Sequence, residues 1–317
     1  MEGQKKRLAV LVGCNYPNTG NELHGCINDV LAMKETLVKR FGFDDNDIEV
    51  LTDAPNSCKL PTGANIKQAL AKLVDGSEAG DVLYFHYSGH GTRIPSKKHG
   101  HHFHHEEAIV PCDFNLITDL DFRQLVNRLA KGASLTILSD SCHSGGLIDK
   151  EKEQVGPSSS LQKGPISKTT NTLTHKTIPY DSILHHLSSQ TKATTTDIGT
   201  HMLELFGSDA SLRFQTVSHA LLEALGPDEG ILLSGCQADE TSADMNPGAG
   251  GGKAYGAFSN AVEMVLREKE GGLSNREVVV RARKVLQGQG FEQHPCLYCS
   301  DENADATFLC QPQKTEQ

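Results

Sequence analysis

Short apolar runs alternate with helix-spaced apolar stripes through the first half of the chain. Arg7-Leu8-Ala9-Val10-Leu11-Val12-Gly13 is a continuous apolar run of strand length, which predicts a central strand. A polar loop from Cys14 to Gly25 follows. Ile27, Val30, Leu31, Leu37, Val38 and Phe41 then recur at helical spacing and stop at Gly42, a helix-ending residue. Ile48 to Leu51 predicts a second strand, and Thr62 to Val74 a helix with Ile66, Ala69, Leu70 and Leu73 on one face. Asp81 to Ser88 predicts a third strand, Leu120 to Leu129 a helix, and Ser134 to Leu138 a fourth strand. Strands and helices alternating in this way imply a mainly parallel sheet covered on both faces.

After Asp149 the pattern breaks. Residues 151–177 are rich in Ser, Thr, Lys and Gly without apolar periodicity, which predicts an exposed linker. Helical patterns resume at Ile183 to Leu187 and Ile198 to Phe206. Gly230 to Gly235 predicts a fifth strand, Ala257 to Glu268 and Ser274 to Leu286 two helices, and the region of Cys296 to Ser300 a last strand. The expectation is an α/β fold with a mainly parallel six-stranded sheet flanked by helices. Residues 1–150 would form a large region, and 178–317 a smaller one completing the same sheet. The glycine run Gly248 to Ala254 imitates a phosphate-binding loop but fails as one, because Pro247 and Ala254 stand where Gly and Ser or Thr are needed.

Composition narrows the function. A formal net charge of −10 disfavours nucleic acid and anionic membranes and suits a cationic partner. No apolar run reaches the length of a membrane span, and the polar start of the chain carries no secretory signal, so the cytoplasm is the expected compartment. The nucleus, and the extracellular space after release from the cell, are further candidates. Nine scattered cysteines read as reduced thiols rather than a disulfide framework. Cys296 and Cys299 form a lone CxxC with only His294 nearby, too few ligands for zinc.

The chemistry centres on two strand ends. Ser139-Asp140-Ser141-Cys142-His143-Ser144-Gly145 follows the fourth strand, and Ser88-Gly89-His90-Gly91 follows the third. One sheet edge would then hold a thiol and an imidazole among small residues, the pairing that nucleophilic catalysis by cysteine requires. Singly, Cys142 reads equally as a buried structural thiol and His90 as a core imidazole.

Together HYSGHG and SDSCHSGG resemble the caspase-like peptidases, and specifically the metacaspases. The likeness runs from RLAVLVGCNYP and HGCINDV through EAIVPCDFN to SGCQADETSAD and KAYGAFS, and is strongest to the short-linker branch of the plant type II group. It implies a cysteine endopeptidase cleaving after Arg or Lys, tied to programmed cell death and stress responses. His90 would be the general base and then acid, Cys142 the nucleophile, and the Gly91 and Cys142 N–H groups the oxyanion hole. Asp29, Ser88 and Asp140 would form an acidic S1 pocket, because paired carboxylates hold a guanidinium or ammonium by charge-assisted hydrogen bonds. Asp29 equally suits the first turn of a helix. Cys26 maps to a cleft cysteine, either a pocket wall or a reserve nucleophile.

The resemblance further implies a zymogen that cuts its own linker, at Lys176 before Pro179-Tyr180, with Lys163 and Lys168 as fallback sites. No cofactor is required. The family's calcium cluster maps to Glu106, Glu107 and Asp149, yet the preceding loop carries Lys97, Lys98 and five histidines between His99 and His105. That leaves few hard oxygens and argues against tight calcium activation. Those histidines would become cationic in mild acid, where activity is expected to be best. The expected partners are protein and peptide substrates with a basic P1 residue, and protein inhibitors, with no nucleic acid or membrane, and the enzyme is expected to be a monomer. Two rivals stand beside this reading: a silent scaffold binding basic peptides through Asp29 and Asp140, and a metal-binding protein using His99 to His105.

Overall fold

The computed structural model describes residues 5–95, 105–143, 147–148, 152–156, 172–215, 230–237, 240–248, 251–268 and 272–310. Its centre is a sheet of seven strands. These are β1 (Arg7–Gly13), β2 (Ile48–Thr52), β3 (Val82–Ser88), β7 (Ser134–Asp140), β10 (Ile231–Ser234), β13 (Cys296–Tyr298) and β8 (Glu153–Val155). Their spatial order is β2-β1-β3-β7-β10-β13-β8. The first five are parallel, and β13 and β8 each pair antiparallel to the strand before them.

Six of these strands are those the apolar runs predict. The seventh corrects the expected six-stranded sheet, and it comes from the stretch read as exposed linker. Glu153–Val155 is too short and too polar to show as a strand in sequence, and it forms by adding hydrogen bonds to the edge of β13.

Alternate residues of each central strand feed two cores, as the period of two demands. Ala9, Leu11 and Tyr84 pack with α1 (Cys26–Phe41), α6 (Ala257–Glu268) and α7 (Asn275–Gly288). Val10, Val12, Leu83 and Phe85 pack against α2 (Gly63–Asp75) and α3 (Asp119–Val126) on the other face. The helix ends follow their capping residues. Gly42 closes α1 with φ 68°. Thr62 starts α2 by accepting from the Asn65 N–H, and Ser274 and Glu277 form a capping box on α7.

Beside the main sheet, β4 (Gly91–Pro95), β5 (His105–Ile109) and β6 (Ile117–Thr118) make a small antiparallel sheet, with α4 (Tyr180–Gln190) and α5 (Ile198–Phe206) nearby. A third apolar cluster joins them, with Ile94, Val110, Ile178, Ile183 and Met202 at its centre. A second small sheet is β12 (Tyr255–Gly256), β11 (Ala243–Asn246) and β9 (Thr172–His175). The chain begins at β1, moves outward to β2, then crosses to β3 on the other side of β1. Open α/β sheets place their ligand crevice outside the carboxyl ends of strands at such a switch. Here β3 delivers His90 and β7 delivers Cys142 to that end.

Candidate active site

Parallel pairing sets Ser88 of β3 opposite Asp140 of β7, so the residues that follow each strand emerge side by side. Two residues beyond each lie His90 and Cys142, both buried. The turn is tight. A Cβ on Gly91 would lie 1.9 Å from the Cys142 carbonyl oxygen, so only glycine fits there. His143, just past the thiol, takes φ 56°, a conformation few non-glycine residues adopt.

His90 is held from three sides. Its backbone N–H donates to the Tyr16 hydroxyl at 3.0 Å, and the Tyr16 ring lies 4.7 Å from the imidazole. Nε2 lies 2.7 Å from the Asn21 carbonyl oxygen. With Nε2–H donating there, Nδ1 is the bare basic nitrogen. Among the described residues it is buried and makes no hydrogen bond of good geometry. Burial pulls the His90 pKa down to about 4, partly offset by the Asn21 carbonyl, so the ring is neutral near pH 7. The Cys142 sulfur accepts from the Ser242 N–H at 3.0 Å and faces the Ser242 carbonyl at 3.6 Å.

The seat between these groups is filled by the chain itself. Lys176 is fully buried, although the 151–177 stretch reads as exposed in sequence. Its carbonyl oxygen accepts from the Gly91 N–H at 3.0 Å and the Cys142 N–H at 3.1 Å. Those are the two donors expected of an oxyanion hole. Residues on either side lie extended along the site. β9 pairs antiparallel with β11, the Lys176 N–H donates to the Ser242 carbonyl at 2.9 Å, and the Ile178 N–H donates to the Gly91 carbonyl at 3.1 Å. This is peptide recognition by strand addition, in which main-chain bonds hold the segment and pockets read its side chains.

The pocket reading Lys176 is acidic. Its Nζ donates to Ser88 Oγ at 2.8 Å and lies 3.1 Å from Asp140 Oδ2 and 3.5 Å from Asp29 Oδ2. The carboxylates are themselves anchored. Asp29 accepts from Ser88 Oγ at 2.7 Å and from the Gly256 N–H at 2.9 and 3.0 Å. Asp140 accepts from Ser242 Oγ at 2.5 Å and from the Ser259 N–H at 2.9 Å.

One ammonium cannot fully compensate two buried carboxylates, and they part accordingly. Burial pushes Asp29 up to about 7 against the pull of Lys176. Burial also penalises Asp140, but the Lys176 ammonium and the Ser242 and Ser259 donors outweigh it and hold Asp140 below the ordinary carboxylate range. Asp140 is therefore the permanent anion of the pocket. Lys176 remains an ammonium: burial opposes its charge, and Asp140, Cys26 and Asp29 more than offset that.

Several residues of the site escaped the sequence reading. Asn21 orients His90 through a main-chain carbonyl, which any residue type supplies. Gly256 closes the pocket: a Cβ there would lie 2.2 Å from Lys176 Nζ, 2.3 Å from Asp140 and 2.5 Å from Asp29. Ser242 touches the thiol, the Lys176 main chain and Asp140 at once. Asp244 accepts from the His24 and Gly25 N–H groups at 2.9 Å each, which ties the start of α1, and so Asp29, to β11. Three of these four lie in SGCQADETSAD and KAYGAFS, stretches notable only for their likeness to a family. Cys26 is buried on the pocket side, near Lys176, Asp244 and Asp29, where burial pushes its thiol well up. That is the environment of a wall residue.

Two of the three carboxylates mapped to a calcium cluster, Glu106 and Glu107, lie among the described residues. Glu106 and Glu107 are consecutive on β5 and so point to opposite faces, and Glu106 spends its carboxylate on Arg213. Asp149, and Lys97 to His104, lie outside the described residues, as do Lys163 and Lys168. Among the described residues no group of three His, Cys, Asp or Glu side chains could hold a metal ion, and Cys296 and Cys299 are separate free thiols.

With this geometry, the comparisons with known proteins agree. The caspase domain family model matches residues 6–306. Metacaspase-9 of Arabidopsis thaliana is 65% identical over 97% of this chain and 98% of its own length. Metacaspase-6 of Arabidopsis thaliana is 38% identical over 95% and 99%. Protein GSU0716 of Geobacter sulfurreducens shares the fold, with a TM-score of 0.64 at 18% identity over 97% of this chain and all of that one. A thiol and a bare imidazole nitrogen at adjacent strand ends are what that family's peptidase chemistry needs, and the chain belongs to the caspase-domain cysteine peptidases, among the metacaspases.

Proposed function

We propose that this peptidase cleaves after Lys or Arg and that its first substrate is its own linker, between Lys176 and Thr177. The observation that carries the reading is the seating of Lys176, with its carbonyl on two N–H donors beside the thiol and its ammonium against Asp140, Asp29 and Ser88. In the reaction, His90 Nδ1 takes the Cys142 proton and the sulfur attacks the Lys176 carbonyl carbon. The Gly91 and Cys142 N–H groups hold the oxyanion that forms. His90 then returns the proton to the Thr177 nitrogen as the bond breaks, and water releases the acyl-enzyme. Arginine fits the same pocket chemistry, since a guanidinium can bridge two carboxylates.

Residues 1–176 would then be the large product and 177–317 the small one, sharing one sheet. A monomer is favoured because β8, only three residues long, covers the edge of β13. A role in programmed cell death or stress responses rests on the family alone.

The test is turnover of paired fluorogenic peptides ending in Arg or in Asp by wild-type and Cys142→Ala protein. Turnover of the Arg peptide alone, lost in the variant, is the expected result. Cleavage of the Asp peptide would overturn the pocket assignment, and turnover by the variant would overturn the nucleophile. Binding without turnover would leave a silent scaffold.

A further inference from the structure

Hydrolysis uses one sulfur at this site, yet the structure places a second on the neighbouring strand end. β10 runs parallel to β7 with Ser234 opposite Ser139, and the Gly235 N–H donates to the Ser139 carbonyl at 2.9 Å. Carried two residues on, that register sets Cys236 opposite Ser141, the neighbour of Cys142. The Cys236 sulfur lies 3.8 Å from the carbonyl of Ser141, the residue bonded to Cys142, and 3.5 Å from the Glu240 carbonyl. Adjacent strands run about 4.8 Å apart, and a disulfide spans Cα atoms roughly 4.4–6.8 Å apart. Both thiols are fully buried. Cys26, the other thiol near the cleft, faces Lys176, Asp244 and Asp29 instead.

We propose that Cys236 is a resolving cysteine, a modification site that captures Cys142 as a Cys142–Cys236 disulfide when a peroxide oxidises the nucleophile. The proposal rests on Cys142 being the nucleophile. Two steps balance it. The Cys142 sulfur attacks one oxygen of hydrogen peroxide, the O–O bond breaks, and sulfenic acid and water form, the thiol proton leaving on that water. The Cys236 sulfur then attacks the sulfenic sulfur, and the hydroxyl departs with the Cys236 proton as a second water. Two thiols are oxidised and one peroxide is reduced.

Adjacent strand ends hold the two cysteines as neighbours, which favours this step over further oxidation because the second event is intramolecular. The neighbouring Cys142 thiol, together with burial, pushes the Cys236 thiol well above the usual cysteine value, so it rests protonated until a sulfenic partner forms. While Lys176 fills the site Cys142 is covered, so the chemistry belongs to the cut enzyme after that segment has left.

The experiment treats linker-cut enzyme with excess hydrogen peroxide, alkylates the remaining thiols, and maps cysteine peptides by mass spectrometry without reduction. Turnover of an Arg peptide is read before treatment, after it, and after dithiothreitol. The wild type is expected to lose turnover, to yield a Cys142–Cys236 linked peptide pair, and to regain turnover on reduction. Cys236→Ser keeps the weak contacts of the thiol and is expected to start with unchanged turnover, then lose it beyond rescue, with Cys142 recovered as sulfinic or sulfonic acid. Cys236→Ala serves if the serine variant does not fold. A disulfide from Cys142 to any other cysteine, or recovery by the Cys236 variants equal to wild type, would overturn the proposal. An untreated enzyme with no turnover would instead count against the peptidase reading, while the peptide map would still report the disulfide.

Discussion

The two carboxylates of the P1 pocket are not equivalent, and replacing each by its neutral isostere separates them. Asp140 is the carboxylate held below its ordinary range, 3.1 Å from the Lys176 ammonium. In Asp140→Asn the amide keeps the shape. Its oxygen can accept from the Ser259 N–H, and its nitrogen can donate to Ser242 Oγ, whose second lone pair accepts from Gln293 Nε2 at 3.2 Å. The fold should survive, while a buried cation loses its permanent partner. Breaking such a pair costs about 3–5 kcal/mol, or roughly two to four orders of magnitude in kcat/KM for a basic P1 residue. Asp29, raised to about 7, is mostly protonated one unit below that, so Asp29→Asn removes little charge there. Its effect is expected to stay within a few-fold at about pH 6 and to grow as pH rises through 7. The assay is kcat/KM for Arg, Lys and Gln peptides across pH, on variants whose linker has been opened by immobilised wild-type enzyme. Equal losses for both variants at every pH would refute the assignment. So would a Gln peptide that loses as much as the Arg peptide.

Other consequences follow from the same geometry. Gly256→Ala puts a Cβ where it meets Lys176 Nζ, Asp140 and Asp29 at 2.2–2.5 Å, and should abolish both linker cutting and Arg-peptide turnover and lower the urea midpoint, since overpacking a buried site costs about 1–3 kcal/mol. His90 is depressed from 6.5 to about 4, so it stays a neutral base down to that pH in the uncut protein. The initial rate of linker cleavage should therefore fall off near pH 4, and an acid limb near 6.5 would contradict the burial argument. His86, buried beside Ser259, is depressed to about 3. Its unfolded form takes a proton below about 6.5 that the native form refuses, so stability is lost as pH falls from there towards 3. That amounts to about 2.3 kcal/mol between pH 6.5 and 4.5. His86→Gln should flatten this slope in urea titrations at the two pH values.

Sequence carried the framework of the fold because buried parallel strands are written as apolar runs, as in β1, β3, β7 and β10. It did not show β8 or β9, whose residues are polar. They become strands only by adding to the edges of β13 and β11, a tertiary choice without a local signature. His90 and Cys142 were legible because strand ends in an α/β sheet are where ligands bind. The partners of His90 were not, since the Asn21 carbonyl acts through main chain and Tyr16 arrives from a polar loop. Lys176 was legible as a basic residue before a Pro-Tyr pair, but its burial was not. A lysine in a Ser/Thr-rich stretch reads as exposed, and only the convergence of Asp29, Asp140 and Ser88 from three separate elements offsets the cost of desolvating it.

The most direct measurement is the intact mass of the products formed when purified wild-type protein is incubated, with Cys142→Ala and Lys176→Ala run alongside. Wild type should give two fragments ending and beginning at the Lys176–Thr177 bond, and both variants should stay uncut there. Cleavage at that bond in the Cys142→Ala protein, or a wild-type enzyme that turns over Arg peptides with the bond intact, would contradict the view that the seated lysine is this peptidase's own first substrate.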